Sequence, residues 1–584
     1  MPTASARYTT KTRFVPFPHR QALPAWGLLR YSTPLVLPTR STMTRTLFLL
    51  AVATTVAGAD LLAQSNSRGP GYNAALTNIS SARSWGRRGA AYPGGEVGVS
   101  FQNDLCNPGS MNIEWRAPML PDHPKFSFLV TRLVGDRMVQ ISNWSYNKHA
   151  FLSLNNSGNC GGAPSTCQQP PAGGQQMGPN CTDVYANSNN GDRTYLAPPS
   201  EMNPWLGSWN PVGSYFDIGD PVQASYPLPA DGVRSLSTFG FDAVKNRVTI
   251  KEADLQGTTA GNLFFQIQVI CEGEPATNRN NNVMNRPFNL TWSGTAWSAT
   301  TPTATPAAQG TLLDRWPGAT SSTAGNGNDD GRFTVAVKVT GPTNGLWHYE
   351  YAVLNLDNNR GGASFRLPIC ANARVQNIGF RDIDTNTLND WTGSYTGSEV
   401  AWTAPVSNPQ NWNQLFNFWF DSDIAPVAGN ATIDAARVGP GALNFTVPTT
   451  VPGLQNSVYL GDGCGTPSAN LFANGLASAG NAAFALNLTS AANTPVMLVF
   501  STTAGNTNLA PGCNAFIDLQ NYSVVDLYLT NGSGLATVPA PIAPGTLPLD
   551  LTFQAATFIA APPVLNLFGL SNGLTVRVAA TGCQ

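Results

Sequence analysis

Charge is scarce in this 584-residue chain: Asp, Glu, Lys and Arg make up only 11% of it, against about a quarter in ordinary soluble domains. Lys+Arg (32) and Asp+Glu (33) nearly cancel. Nucleic acid and anionic membrane are held by clustered cations, so neither is expected as a partner. Cysteine is missing from the first hundred residues, and the whole chain has four histidines. No apolar run reaches the roughly 18–20 residues a spanning helix needs; the best one, Leu47–Val56, is soon followed by Gly58 and Asp60. Neither a G-x-S-x-G elbow nor an H-E-x-x-H pair occurs, so no catalytic mechanism follows from a motif. Long amphipathic helical repeats are absent as well.

What is abundant is turn chemistry. Gly (56) and Pro (45), with many Asn, Thr and Ser, punctuate short alternating stretches, which predicts a mainly β, multidomain protein of β-sandwich-like domains with long Gly/Pro/Asn-rich loops. The length allows three or four domains. A first block spans residues 70–232, with strand-like Glu96–Phe101 and Phe126–Thr131 and a disulfide-pinned loop. A second spans 233–445, with Phe264–Ile270, Phe333–Val339 and Tyr349–Leu354 alternating as half-buried strands do; whether the two blocks are fused is left open. Residues 455–584 read as a separate sandwich-sized module, in which Ala483–Leu488, Val524–Leu529 and Leu574–Val578 alternate cleanly. Cys464 and Cys513 are expected to cross-link it, with Cys583 the candidate for an unpaired thiol, since nine cysteines leave one over.

Residues 1–42 carry six Lys or Arg and no acid. Met43–Thr46 is then a short basic n-region, Leu47–Val56 an apolar h-region, and Ala57-Gly58-Ala59 a cleavage site. That is a complete secretory signal over residues 43–63, starting at its own methionine. Residues 1–42 are read as a start-site artefact or dispensable extension. The mature chain is expected outside the cell or on its surface.

Reactive side chains concentrate between Trp144 and Tyr185, which hold Lys148, His149, Cys160, Cys167, Cys181 and Asp183. One reading is structural: two disulfides, one of them using Cys106, pin a long loop. A second is a zinc or copper site, because Cys, His (His123, His149, His348) and Asp supply every ligand type, although the cysteine spacing is not of the C-x-x-C kind. A third is catalytic, with His149 as base, Asp183 orienting it and Lys148 stabilising negative charge.

Asp382, Asp384, Asn386 and Asp390 place oxygens at alternate positions, as in the first half of a calcium loop. Thr387 stands where that loop needs glycine and Gly393 where it needs glutamate, so a looser Ca²⁺ site between strands competes with a solvated turn. Trp205 and Trp209, in a Pro/Gly-rich stretch, would stack on sugar rings if their faces were exposed; otherwise they staple a loop to the core.

Several of these stretches resemble an uncharacterised exported family of planctomycete-type bacteria. They are Trp85-Gly-Arg87, Cys106-Asn107, Trp144 with Lys148-His149-x-Phe151, Cys181-Thr-Asp-Val-Tyr185, Ser200–Asn203, Tyr349–Ala352, Gly379–Asp382 and Phe416–Asp421. The tail, from Tyr459–Cys464 through Gly475–Phe484 to Leu570–Leu574, resembles a C-terminal β-module found on exported proteins of such bacteria. The resemblance implies export and no particular activity. The leading expectation is therefore a non-enzymatic extracellular or cell-surface protein that binds an extracellular ligand, a glycan or the cell envelope. An extracellular enzyme centred on Lys148-His149 and a Ca²⁺-stabilised glycan-binding module are the alternatives.

Overall fold

The computed structural model describes residues 64–578 apart from 117, 161–162, 258–260, 344, 372 and 454–455. The extension, the signal peptide and Cys583 lie outside the described residues. The protein is mainly β, as its alternating patterns predict. Its sheets are antiparallel, and the described α-helices are single turns, Asn187–Asn190 and Tyr215–Ile218. No described helix is long and apolar enough to cross a membrane.

The front module is built on a large sheet in which Lys125–Val134 pairs with Leu263–Ile270, which pairs with Val283–Trp292. A second sheet, Val248–Lys251, Gly95–Phe101 and Ala82–Gly89, packs over it. Val97, Val99 and Phe101 meet Phe126, Phe128, Phe265, Ile267 and Phe288 in one core. The sequence leaves fusion open at 232/233; both sheets of this core draw strands from either side of that position. The module continues to Trp316, and the next begins at Thr320.

The middle module is a sandwich of two five-stranded sheets. Period-two alternation explains its filling. Tyr349, Tyr351 and Val353 on one strand and Phe416, Phe418 and Phe420 on its neighbour point inward, onto Phe365, Leu367, Val400, Trp402 and Ile433 of the facing sheet. The intervening residues Glu350, Ala352 and Asn417 are also buried, and Trp419 is half-buried. Ala352, Leu354 and Leu415 pack with Leu129, Met138, Phe264 and Trp316 of the front module in a shared cluster. Polar side chains stitch the same seam: Asn417 Nδ2 donates to Met138 O at 2.9 Å, Asn413 Nδ2 to Phe128 O at 2.9 Å, and Trp144 Nε1 to Trp412 O at 2.8 Å. A sheet covered on both faces buries successive residues of its strands, as it does for every residue of Phe126–Val130, Ser127 included.

The C-terminal module faces a six-stranded sheet with a three-stranded one. Leu471, Leu486, Leu488, Val496, Leu498, Leu574 and Val576 fill the space between them. Cys464 and Cys513 are joined, as expected. One alternating stretch departs from expectation. The strand Tyr522–Leu529 lies at the sheet's edge, paired only with Pro495–Ser501, and it is exposed along almost its whole length rather than half-buried.

Candidate functional site

The two disulfides of the structural reading are present: Cys106–Cys160, 54 residues apart, and Cys167–Cys181, 14 apart. They tie the loop back to the strand Thr182–Tyr185, which pairs with Asn103–Cys106. Cys370 is disulfide-bonded too. The free thiol among the described cysteines is the buried Cys271, which no sequence signal singled out; its membership in the front core explains why it needs no partner.

Lys148 and His149 are successive residues of the short strand Asn147–His149, so they point to opposite faces. This strand pairs with Lys125–Phe126 on one side and Leu196–Ala197 on the other. His123 Nδ1–H donates to Leu120 O at 2.7 Å, which leaves His123 Nε2 to accept from His149 Nδ1–H at 2.8 Å. Trp209 and Phe216 pack edge-on against the His149 ring at 4.8 and 4.9 Å. Burial pushes both imidazoles well below the usual histidine range, and the Lys125 ammonium adds to the effect. They are a neutral pair inside the protein.

Lys148 is fully buried, its ammonium 4.4 Å from the Tyr195 ring centre and 4.9 Å from that of Phe151. It makes no hydrogen bond. Burial pulls its pKa down to about 7, with Asp192 opposing the shift. Asp183 lies on another sheet and accepts from the amide of Val184 at 2.8 Å. Burial raises its carboxyl to about 6. The expected triad is thus not assembled: His149 is oriented by His123, and Lys148 points away from both. No group of three His, Cys, Asp or Glu among the described residues could hold a metal ion.

The Asp382–Asp390 loop is a ladder of side-chain-to-backbone turns. Asp382 accepts from the amide of Asp384, Asp384 from that of Asn386, and Asn386 from that of Leu388. The other Asp382 oxygen takes Asn408 Nδ2 at 2.7 Å. These oxygens satisfy their own loop, the usual role of Asx side chains in turns. Trp205 and Trp209 are both buried, and the Arg279 guanidinium sits 4.5 Å from the Trp205 ring centre. Of the two alternatives, stacking on sugar lacks an exposed face, and Trp209 packs in a cluster with Met202, Tyr215, Phe216 and Trp412.

Sequence reasoning missed a polar cleft of about 520 Å³ where the middle and C-terminal modules meet. Thr340, His348, Arg374, Gln376, Asp421, Asp462 and Asn470 are among its lining residues. Trp347 packs edge-on to Phe472 across this junction, and Arg374 lies over the Tyr459 ring. His348 Nδ1 is 2.6 Å from Asp421 Oδ1, and its Nε2 faces Glu350 Oε2 at 3.4 Å. Glu350 is in turn held by Arg137 Nε at 2.7 Å, whose guanidinium stacks 3.6 Å from the Trp419 ring centre. Glu350 first, and Asp421 after it, hold the imidazole pKa above the ordinary histidine value. Both ring nitrogens face carboxylates. The polar lining suits the cleft to binding polar groups.

No protein-family model matches the sequence, and no curated protein matches it. Among solved structures the chain aligns with BcpA, the major pilin subunit of Bacillus cereus, at 10% identity and TM-score 0.17, covering 57% of this chain and 84% of the pilin. It also aligns with Escherichia coli alpha-2-macroglobulin activated by porcine elastase, at 9% identity and TM-score 0.14, covering 87% of this chain and 35% of that one. At TM-scores this low neither alignment carries an argument about architecture or function.

Proposed function

We propose that the chain is an exported, non-enzymatic protein of the extracellular space or cell surface. In this reading the front and middle modules form one packed body that binds an extracellular ligand, a glycan or a component of the cell envelope, at the cleft around His348. The C-terminal module serves attachment, sorting or spacing.

The observation that carries it is where the reactive side chains are spent. His149 is used on His123, Lys148 is enclosed by aromatic rings, and Cys106, Cys160, Cys167 and Cys181 close a loop. Disulfides of this kind form and persist in oxidising compartments. Fractionation of the native host with thiol labelling tests the reading. The mature chain is expected in the medium or on the surface, with those four cysteines unlabelled. Recovery from the cytoplasm with the four thiols reduced would overturn it.

A further inference from the structure

The edge strand Tyr522–Leu529 lacks most of what keeps an exposed sheet edge solitary. It contains no Lys, Arg, Pro or Gly, and Asp526 is its single charge. Tyr522, Val524, Val525, Leu527 and Leu529 are all exposed, the last two at 61% and 64%. Open edges of this length and apolarity are templates for pairing with another chain. We infer that this strand pairs antiparallel with the same strand of a second copy of the chain, through a two-fold axis at Leu527. The inference deepens the structural reading above and rests on it.

Register decides the partner. Thr530 donates its amide to Thr494 O, toward the sheet, whereas Leu527 gives its amide to the exposed Asp526 Oδ1 at 2.8 Å. Alternate residues of an antiparallel ladder turn both backbone groups to the same side, so Leu527 and Leu529 present theirs to the free edge. A two-fold pairing must bring such outward residues together. Centring on Asp526 would set carboxylate against carboxylate. Centring on Val525 would run through the bulge at that residue, where Leu498 and Val499 face Asp526 and Val524.

Centring on Leu527 keeps the axis clear of both, with the bulge residue Val525 two positions away from it. Leu527 then meets its own copy, Val525 meets Leu529, and Asp526 lies opposite Tyr528, whose phenol O–H can donate to the carboxylate. The strand is therefore self-complementary in its apolar contacts and in its one charge. The chain's formal net charge of −1 opposes association only weakly. A second copy continues the six-stranded sheet across the axis into the equivalent sheet of its partner. A single strand pair buries little area, which places the contact among weak, reversible interfaces.

Sedimentation equilibrium on the secreted chain tests this, together with mild oxidation of the Leu527→Cys variant. Reversible monomer–dimer association is expected, and peptide mass mapping should find the two introduced thiols, one from each copy, joined to each other. Leu527→Lys, which places a cation on the axis and removes no bond internal to the sheet, is expected to weaken the dimer by about tenfold or more with its melting curve unchanged. A monomer at every concentration, or a dimer that neither cross-links at this position nor responds to Leu527→Lys, would overturn the inference. Neither result bears on where the protein resides, which fractionation decides separately.

Discussion

His348 and Asp421 face one another across neighbouring strands of the middle module, Nδ1 to Oδ1 at 2.6 Å. The strand register alone creates this pair, which places a protonatable group in the cleft at the junction with the C-terminal module. Glu350 on its other side, and Asp421 after it, raise the imidazole pKa above the ordinary histidine value.

Because the folded pKa lies above the unfolded value of about 6.5, the contribution of His348 is complete below that value. It fades as pH rises through the folded pKa. His348→Gln is therefore expected to destabilise the protein by about 1 kcal/mol in mild acid, a figure kept small by solvent screening of a partly open pair. Above the folded pKa the variant and the parent should converge. Chemical denaturation of both at acid and alkaline pH measures the difference, and a gap that widens with pH would refute the assignment.

The two loop disulfides differ in the chain they close. Cys106 and Cys160 are 54 residues apart, Cys167 and Cys181 only 14. By loop entropy the first bond is worth about 4 kcal/mol and the second about 3. Paired Cys→Ser variants should lose stability in that order. Limited proteolysis should then cut near Cys160–Met177 in both and leave the middle module whole.

How much of this was legible in the sequence depended on range. Tyr349-x-Tyr351-x-Val353 announces a strand, because side chains alternate, and the sandwich class followed from many such runs. The front module's extent did not follow, since the pairing of Leu263–Ile270 with Lys125–Val134 is a choice of partner that neither strand encodes alone. His348 and Asp421 are 73 residues apart, and no local spacing links them. Trp205 and Trp209 sit among loop-forming residues, where sequence leaves exposure and burial as alternatives; in the fold both are buried. Alternation in Val524–Leu529 was real but misleading: at the edge of the sheet only Tyr528 packs against the core, and the other residues are exposed.

Asp382 bears on calcium. Both of its oxygens already accept hydrogen bonds, from Asp384 N and Asn408 Nδ2, and burial raises its carboxyl above the ordinary range. Asp382→Ala is expected to cost about 1–2 kcal/mol, the usual loss when a local cap and a buried acceptor disappear. If the side chain acts through the turn, that loss is equal in chelator and in excess calcium, read by melting temperature. A penalty seen only with calcium present would assign the loop to the ion.

Lys148 separates the structural reading from the enzymatic one. Its amine is enclosed by Tyr195 and Phe151, has no hydrogen bond, and has a pKa of about 7, whereas an unfolded lysine titrates at about 10.4. The folded state therefore binds fewer protons than the unfolded one between about pH 7 and 10, and stability should rise with pH across that window. Lys148→Met shortens the side chain by one atom, stays within reach of both rings and removes the burial cost of the charge. It is expected to stabilise the protein by about 1–3 kcal/mol at neutral pH and below, with the gain shrinking toward about pH 10. Stability profiles of the parent and the variant measure this directly. A catalytic lysine predicts another pattern, because the same variant would fold well and lose a turnover that the parent performs. If Lys148→Met is less stable than the parent at every pH, the amine has a partner that balances its charge, and the cation–π enclosure is not the whole of its environment.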